Sequence, residues 1–263
     1  MKRWNWWVAF CMCCLLTGCY NANESRENVL KVYNWADYIG EGVLEDFQKY
    51  YKEQTGEDIR IVYQTFDINE IMLTKIEKGH EDFDVVCPSE YIIERMLHKG
   101  LLQPIDTAFA HSPNYMNGVA PYIRQQIDKL TVKGDLPASR YAVCYMWGTA
   151  GLLYNKQFVS EKDLKSWGCL WEKRFSGKIL MKDAYRDSYG MALLYAHRED
   201  LKDSTRSVAD LMNDYSPASM DSVEKYLKLL KPNVAGWEAD FGKEMMTKGK
   251  AWVNMTWSGD AQW

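Results

Sequence analysis

The hydrophobic pattern beyond residue 28 switches repeatedly between two periods, and this constrains the fold more than any other feature of the chain. Val29 to Tyr33 is a short apolar run, and Val43, Leu44, Phe47 and Tyr51 then recur at the spacing of one helix face, which Gly56 ends. Ile59 to Gln64 reads as a second strand. Asn69 is placed to cap a helix with Ile71, Met72 and Ile76 facing inward, closing at Gly79. Asp84 to Cys87 is a third strand, and Ser89 can cap a helix running to about Lys99. Strand and helix in strict alternation predict a parallel sheet with right-handed crossovers, and so an α/β fold.

The stretch Pro104 to Pro137 carries four prolines and breaks this rhythm, which predicts a surface excursion. Tyr141 to Asn155 is apolar, aromatic and glycine-bearing, as suits a hinge strand entering a second domain. That domain offers a helix near Asp163 to Glu172, a strand at Lys178 to Met181 and a helix from Ser188 to about Arg198. Helices at Val208 to Tyr215, Asp221 to Leu230 and Phe241 to Lys248 then lead to a strand at Ala251 to Trp257. With 263 residues, 47% of them hydrophobic, there is material for two domains that each bury a core.

The first nineteen residues read as an address rather than as structure. Lys2 and Arg3 precede an apolar run from about Trp6 to Leu16, too short for a spanning helix of the mature protein, and small residues then precede Cys19. Leu16-Thr17-Gly18-Cys19 resembles the bacterial lipobox, which implies a signal peptide over 1–18 and lipid on Cys19. An uncleaved anchor or a plain signal is the alternative. Residues 19–28 are polar and aperiodic, as expected of a tether.

Formal net charge is −4, and −6 once Lys2 and Arg3 leave with the signal, with 30 basic against 36 acidic residues. Such a balance argues against a nucleic-acid partner, whose phosphates need a basic face. Of the cysteines outside the address, Cys87, Cys144 and Cys169 are too widely spaced for a zinc pattern, and their odd number excludes complete pairing within one chain. Cys87 and Cys144 sit in apolar runs and read as buried packing residues. His80-Glu81-Asp82 are consecutive in a turn, which suits a solvated loop better than a metal site. The sequence has no Gly-x-Ser-x-Gly elbow, phosphate loop or His-Glu-x-x-His, so no enzyme, metal or cofactor is expected.

Open α/β sheets bind ligands beyond the carboxyl ends of their strands. The loops there carry Asn34-Trp35-Ala36-Asp37-Tyr38, Pro88-Ser89-Glu90-Tyr91, Asp183-Ala184-Tyr185-Arg186-Asp187 and Trp257-Ser258-Gly259-Asp260. Each holds aromatics, carboxylates or both. Tyr33-Asn34-Trp35-Ala36-Asp37-Tyr38, Val86-Cys87-Pro88-Ser89-Glu90-Tyr91, Tyr145-Met146-Trp147-Gly148-Thr149 and Trp257-Ser258-Gly259 resemble the polyamine-binding receptors of ABC importers, and the resemblance extends from about Val29 to the last residue. The resemblance implies a two-lobed periplasmic binding protein of type II (Venus flytrap), with mostly parallel sheets flanked by helices. It divides the chain into lobe 1 at 29–140 and hinge strand plus lobe 2 at 141–263.

The implied function is the extracytoplasmic substrate-binding component of a spermidine/putrescine ABC transporter, with a membrane permease as partner and a lipid anchor at Cys19. Receptors for another small solute, and a lipoprotein sensor or interaction module without transport, are the alternatives. A polyamine strings ammonium groups along methylenes, so its site needs carboxylates at the charges and aromatic walls between them. By the resemblance Trp35 and Tyr38 pack along the ligand, Ser89 and Tyr91 contact it, Asp187 binds an amine and Trp257 closes on it. Asp37 belongs to the same loop. Ala36 and Ala184 depart from the family's threonine and second acid, with Asp183 one residue away. From the residues alone, Ser89 serves equally as a helix cap, and Asp37 and Asp187 as caps or solvated charges. The family's receptors continue beyond the strand at Ala251 to Trp257, with a further aromatic and aspartate and a return to the first lobe. The chain is therefore read as lacking its C-terminal part, and poor stability and weak or absent polyamine binding are expected.

Overall fold

The structure, a computed structural model, describes residues 26–79, 81–130, 137–239 and 241–262. The expected signal peptide, Cys19, most of the tether and His80 lie outside the described residues. Within them the chain divides into two compact units, residues 26–65 with 81–87, and residues 66–79 with 88–262.

The first unit is built on β1 (Val29–Trp35), α1 (Val43–Thr55), β2 (Arg60–Phe66) and β3 (Val85–Val86), with strand order β2-β1-β3. β1 and β3 are parallel, Val32 opposite Val85 and Tyr33 opposite Val86. Tyr33 is buried and stacks on Phe83 with ring centroids 4.5 Å apart. Asp82, the last residue of the His-Glu-Asp run, pairs with Arg26 and Lys31 at the surface. α1 ends as its sequence demands: Gly56 takes φ +79° and donates its N–H to the Lys52 carbonyl at 2.8 Å. No residue of α1 is buried; of its apolar face, Val43 and Phe47 are exposed.

The second unit opens with α2 (Asn69–Gly79) and α3 (Glu90–His98). On α2 Met72 and Leu73 are buried, whereas Ile71, expected to face inward, is exposed. The proline-rich stretch is helical where an irregular path was expected, forming α4 (Thr107–Ala110), α5 (Pro113–Gly118) and α6 (Pro121–Asp128). Pro113 and Pro121 each stand in the first turn, where φ is already suitable and no N–H is required, and the Ser112 hydroxyl accepts the Tyr115 N–H at 3.3 Å. The expected hinge strand is shorter than the apolar run that suggested it: only β4 (Ala150–Tyr154) is extended in a ladder, and Tyr145, Met146 and Trp147 are exposed.

The helix expected over 163–172 is replaced by 3-10 turns at Glu161–Asp163 and Trp167–Trp171. Asp163 accepts the backbone N–H of Ser160 at 2.9 Å, which closes the first turn on itself. Next come β5 (Ile179–Lys182), α7 (Tyr185–Ala196), α8 (Arg198–Lys202), α9 (Val208–Met212), α10 (Pro217–Leu230), β6 (Val234–Glu238), α11 (Gly242–Thr247), β7 (Val253–Trp257) and α12 (Ser258–Gln262). α7 begins three residues before the expected Ser188, whose hydroxyl instead donates to the Lys182 carbonyl and ties the helix to β5. Cys87 and Cys144 are half-buried, not buried as expected; Cys169 is buried in the core.

The four strands lie in the order β4-β7-β5-β6. β5 is parallel to both β6 and β7, while β4 is antiparallel to β7 with Ala150 opposite Trp257. Phe175, Ile179, Met181, Met191, Leu230, Val253 and Met255 form the core behind this sheet. Each unit therefore has a founding strand, β1 or β5, whose next strand lies on one side and whose following strand lies on the other. The connections leave in opposite directions between β1 and β3 and between β5 and β7, which are the switch points where open sheets leave a crevice.

Candidate functional site

At the switch point of the first unit, β1 delivers Asn34, Trp35, Asp37 and Tyr38. Asn34 is buried, and its amide turns the chain by accepting the Trp35 N–H at 2.8 Å and donating to the Tyr38 carbonyl at 3.4 Å. This local turn leaves Trp35 and Tyr38 half-buried and Asp37 exposed.

In the second unit the carboxyl ends of β5 and β7 bring Asp187 and Trp257 together. Asp187 lies in the first turn of α7, and its Oδ2 accepts the Trp257 indole N–H at 2.7 Å. It is not the helix cap; Ala184 holds that position. Burial raises the Asp187 pKa above the usual carboxylate range, against the pull of the Trp257 hydrogen bond, Lys182 and Arg186. Asp183 is exposed and contributes its backbone N–H to the Glu238 carbonyl at 2.8 Å.

Ser89 and Tyr91 belong to the same unit and are joined by Asn69. The Asn69 amide donates to Ser89 Oγ at 2.9 Å and to Tyr91 Oη at 3.0 Å, and accepts the Ser89 N–H at 3.1 Å. Neither Asn69 nor Ser89 is the side-chain helix cap expected of it, because each spends its polar atoms on the other. Tyr91 in turn donates to Glu70 Oε1 at 3.1 Å. Burial, with the Glu70 carboxylate beside it, pushes the Tyr91 pKa well up, so its phenol stays neutral. The Arg186 guanidinium lies 5.7 Å from the Tyr91 ring centre and 5.5 Å from that of Tyr215, and donates to Asn213.

Sequence reasoning missed Lys182 and Glu238, and met Asp260 only as the last residue of the loop after the final strand. Lys182 ends β5 with 2% exposure, and its ammonium donates to the Ala239 carbonyl at 2.5 Å and to Asp260 Oδ2 at 2.8 Å. Glu238 Oε1 stands 3.7 Å away, and the Trp257 ring centre 4.2 Å. Glu238 also accepts the Gly242 N–H at 3.0 Å and the Asn254 amide at 3.2 Å. Only the β5 end position hints at this in the sequence, since the partners are 56 to 78 residues away in the chain.

Gly242 is fixed by this cluster: a Cβ there would lie 2.5 Å from Glu238 Cδ and 2.5 Å from Asn254 Nδ2. Gly242→Ala is expected to cost about 1–3 kcal/mol, because neither buried partner can withdraw without losing a hydrogen bond. Urea unfolding checks it; a loss below roughly 0.5 kcal/mol would show that the site relaxes freely.

Solved structures give the class first. The substrate-binding protein PotD of a spermidine/putrescine ABC transporter from Streptococcus pneumoniae superposes on 89% of the chain with a TM-score of 0.60 at 29% identity, this chain covering 64% of it. The fold is thus the α/β fold of the periplasmic binding proteins. Residues 45–262 match the family described as bacterial extracellular solute-binding protein, and the chain belongs to that family. The spermidine/putrescine-binding periplasmic protein of Escherichia coli K12 is 29% identical over 263 residues, 99% of this chain and 67% of the relative. The putrescine-binding periplasmic protein PotF of the same organism is 30% identical over 246 residues, 90% of this chain and 60% of the relative. The chain spans about two thirds or less of the length of these relatives.

Proposed function

We propose that this chain is the substrate-binding component of a polyamine ABC transporter, taking up spermidine or putrescine outside the cytoplasm and passing it to a membrane permease. One observation carries the reading: a half-buried carboxylate, Asp187, is presented beside an indole, Trp257, at the ligand-binding end of an open sheet. A carboxylate held against an aromatic edge in a poorly hydrated place meets the two needs of an alkylammonium ion. The names of the relatives point the same way. The same reading assigns lobes at 29–140 and 141–263, with Trp35, Asp37 and Tyr38 as further ligand-binding residues, Ser89 and Tyr91 as polar contacts, Asp183 as a peripheral charge and Cys19 as the lipid anchor in the periplasm. Binding and release complete the task, with no catalytic step.

A neutral mimic provides the test. Millimolar spermidine or putrescine is expected to raise the melting temperature of the full chain by a few degrees through preferential binding to the folded state. 1,4-Butanediol, which has the length of putrescine without its charge, should raise it by none. Equal responses to amine and diol, or no response to either amine, would overturn the proposal.

A further inference from the structure

The surroundings of Lys182 are those that a bound alkylammonium requires: carboxylate and carbonyl acceptors, an aromatic face and exclusion of water. Its side chain is 3% exposed, with two hydrogen bonds made to Ala239 O and Asp260 Oδ2 and the remaining N–H left toward Glu238 and the Trp257 face. Trp257 thereby meets a cation on its ring face, Lys182, and an anion at its Nε1 edge, Asp187. The two carboxylates about Lys182 are further tied down by Thr256 Oγ1 on Asp260 and by Gly242 and Asn254 on Glu238.

We infer that Lys182 is a resident stand-in for a ligand ammonium, and that it determines specificity by filling a second cation subsite at the β5/β7 switch point. The inference rests on the amine-binding reading above. With Lys182 in place, Glu238 and Asp260 are withdrawn from the ligand, and an amine meets this unit at Asp187 through one ammonium group. A second ammonium entering beneath Trp257 is barred by volume and by charge. Triamines gain nothing here over diamines.

Removing the lysine side chain opens the subsite to an ammonium from solution. Lys182→Ala in the full chain removes the buried cation that Glu238 and Asp260 share, and its melting temperature is expected to fall by on the order of 10 °C. Tens of millimolar n-propylammonium or n-butylammonium should restore at least half of that loss. Tetramethylammonium, which cannot donate a hydrogen bond, and sodium chloride at equal ionic strength should restore none, and the rescue in Lys182→Ala should exceed the shift that the same monoamine causes in the unsubstituted chain. Should Lys182→Ala fail to fold, Lys182→Ala with Asp260→Asn keeps Glu238 as a single acceptor, and a smaller rescue by the same amines is expected. No rescue in either background, or rescue equalled by tetramethylammonium, would overturn the assignment. Since rescue is read without any polyamine, its failure alongside an intact polyamine response would remove this inference alone.

Discussion

Replacing Asp187 with asparagine is expected to weaken spermidine or putrescine binding by roughly 30- to 5,000-fold, the range that follows from about 2–5 kcal/mol for losing one partner of a desolvated charge pair. The asparagine carbonyl can still accept the Trp257 indole N–H, so the change removes the charge and little else. Titration calorimetry on the two proteins reads it. A loss of less than about threefold would show that the ligand ammonium is held elsewhere. Proton linkage supplies an independent check. The folded protein raises the Asp187 pKa, chiefly through burial. Amine affinity should therefore fall as pH drops through that raised value, by about tenfold per unit below it, while Asp187→Asn should be flat over the same interval. Stability runs the other way. Between the unfolded and the raised folded pKa the native state holds more proton than the unfolded chain, so Asp187 costs stability at neutral pH and the cost is relieved as pH falls. Asp187→Asn should thus be at least as stable as the parent at pH 7 while failing to bind.

Phe175→Ala should have the largest effect on stability, a loss of about 3–5 kcal/mol. Phe175 is 1% exposed and packs in the core that contains Leu170, Ile179, Leu230, Val253 and Met255. The Arg174 guanidinium lies 4.6 Å from its ring centre, so truncation removes this contact as well. The residue ends a 3-10 turn four positions before β5, and the cavity would open directly behind the strand that delivers Lys182. For a domain of this size the loss corresponds to a fall in melting temperature of roughly 6–20 °C. Phe175→Leu, which retains most of the volume, should cost less than half as much. A truncation cost under about 1 kcal/mol would show that this cluster is not the stabilising core.

Local signals proved legible where one short stretch of chain decides the outcome. Gly56 and Gly79 closed their helices as read, and the strands at 29–35, 60–66, 179–182 and 253–257 follow their apolar runs. The misreadings share a cause in competition from groups distant in sequence or from a second use of the same residue. Asn69 and Ser89 have the composition of caps, yet they satisfy one another across twenty residues. Prolines were taken as breaks, whereas Pro113 and Pro121 stand where a helix begins. β6 escaped notice because Ala235 and Gly236 interrupt any alternation; its extended form comes from pairing along β5. Trp257 and Asp187 were both singled out in the sequence, but not that they touch. Lys182 was invisible as a site residue because an isolated lysine normally predicts a solvated surface, and only tertiary partners make its burial tolerable.

The order β4-β7-β5-β6 also sets a timetable. β7 lies between β4 and β5, yet it is synthesised last of the four, about a hundred residues after β4. At ribosomal rates of about 5–20 residues per second the nascent chain carries both β4 and β5 for roughly 4–14 s before the strand that joins them exists. Throughout that interval the edges of β4 and β5 that β7 will cover are open to other chains, which favours slow, late closure of the sheet. The same placement means that a ribosome stalling before Val253 releases a product whose half-built sheet cannot close.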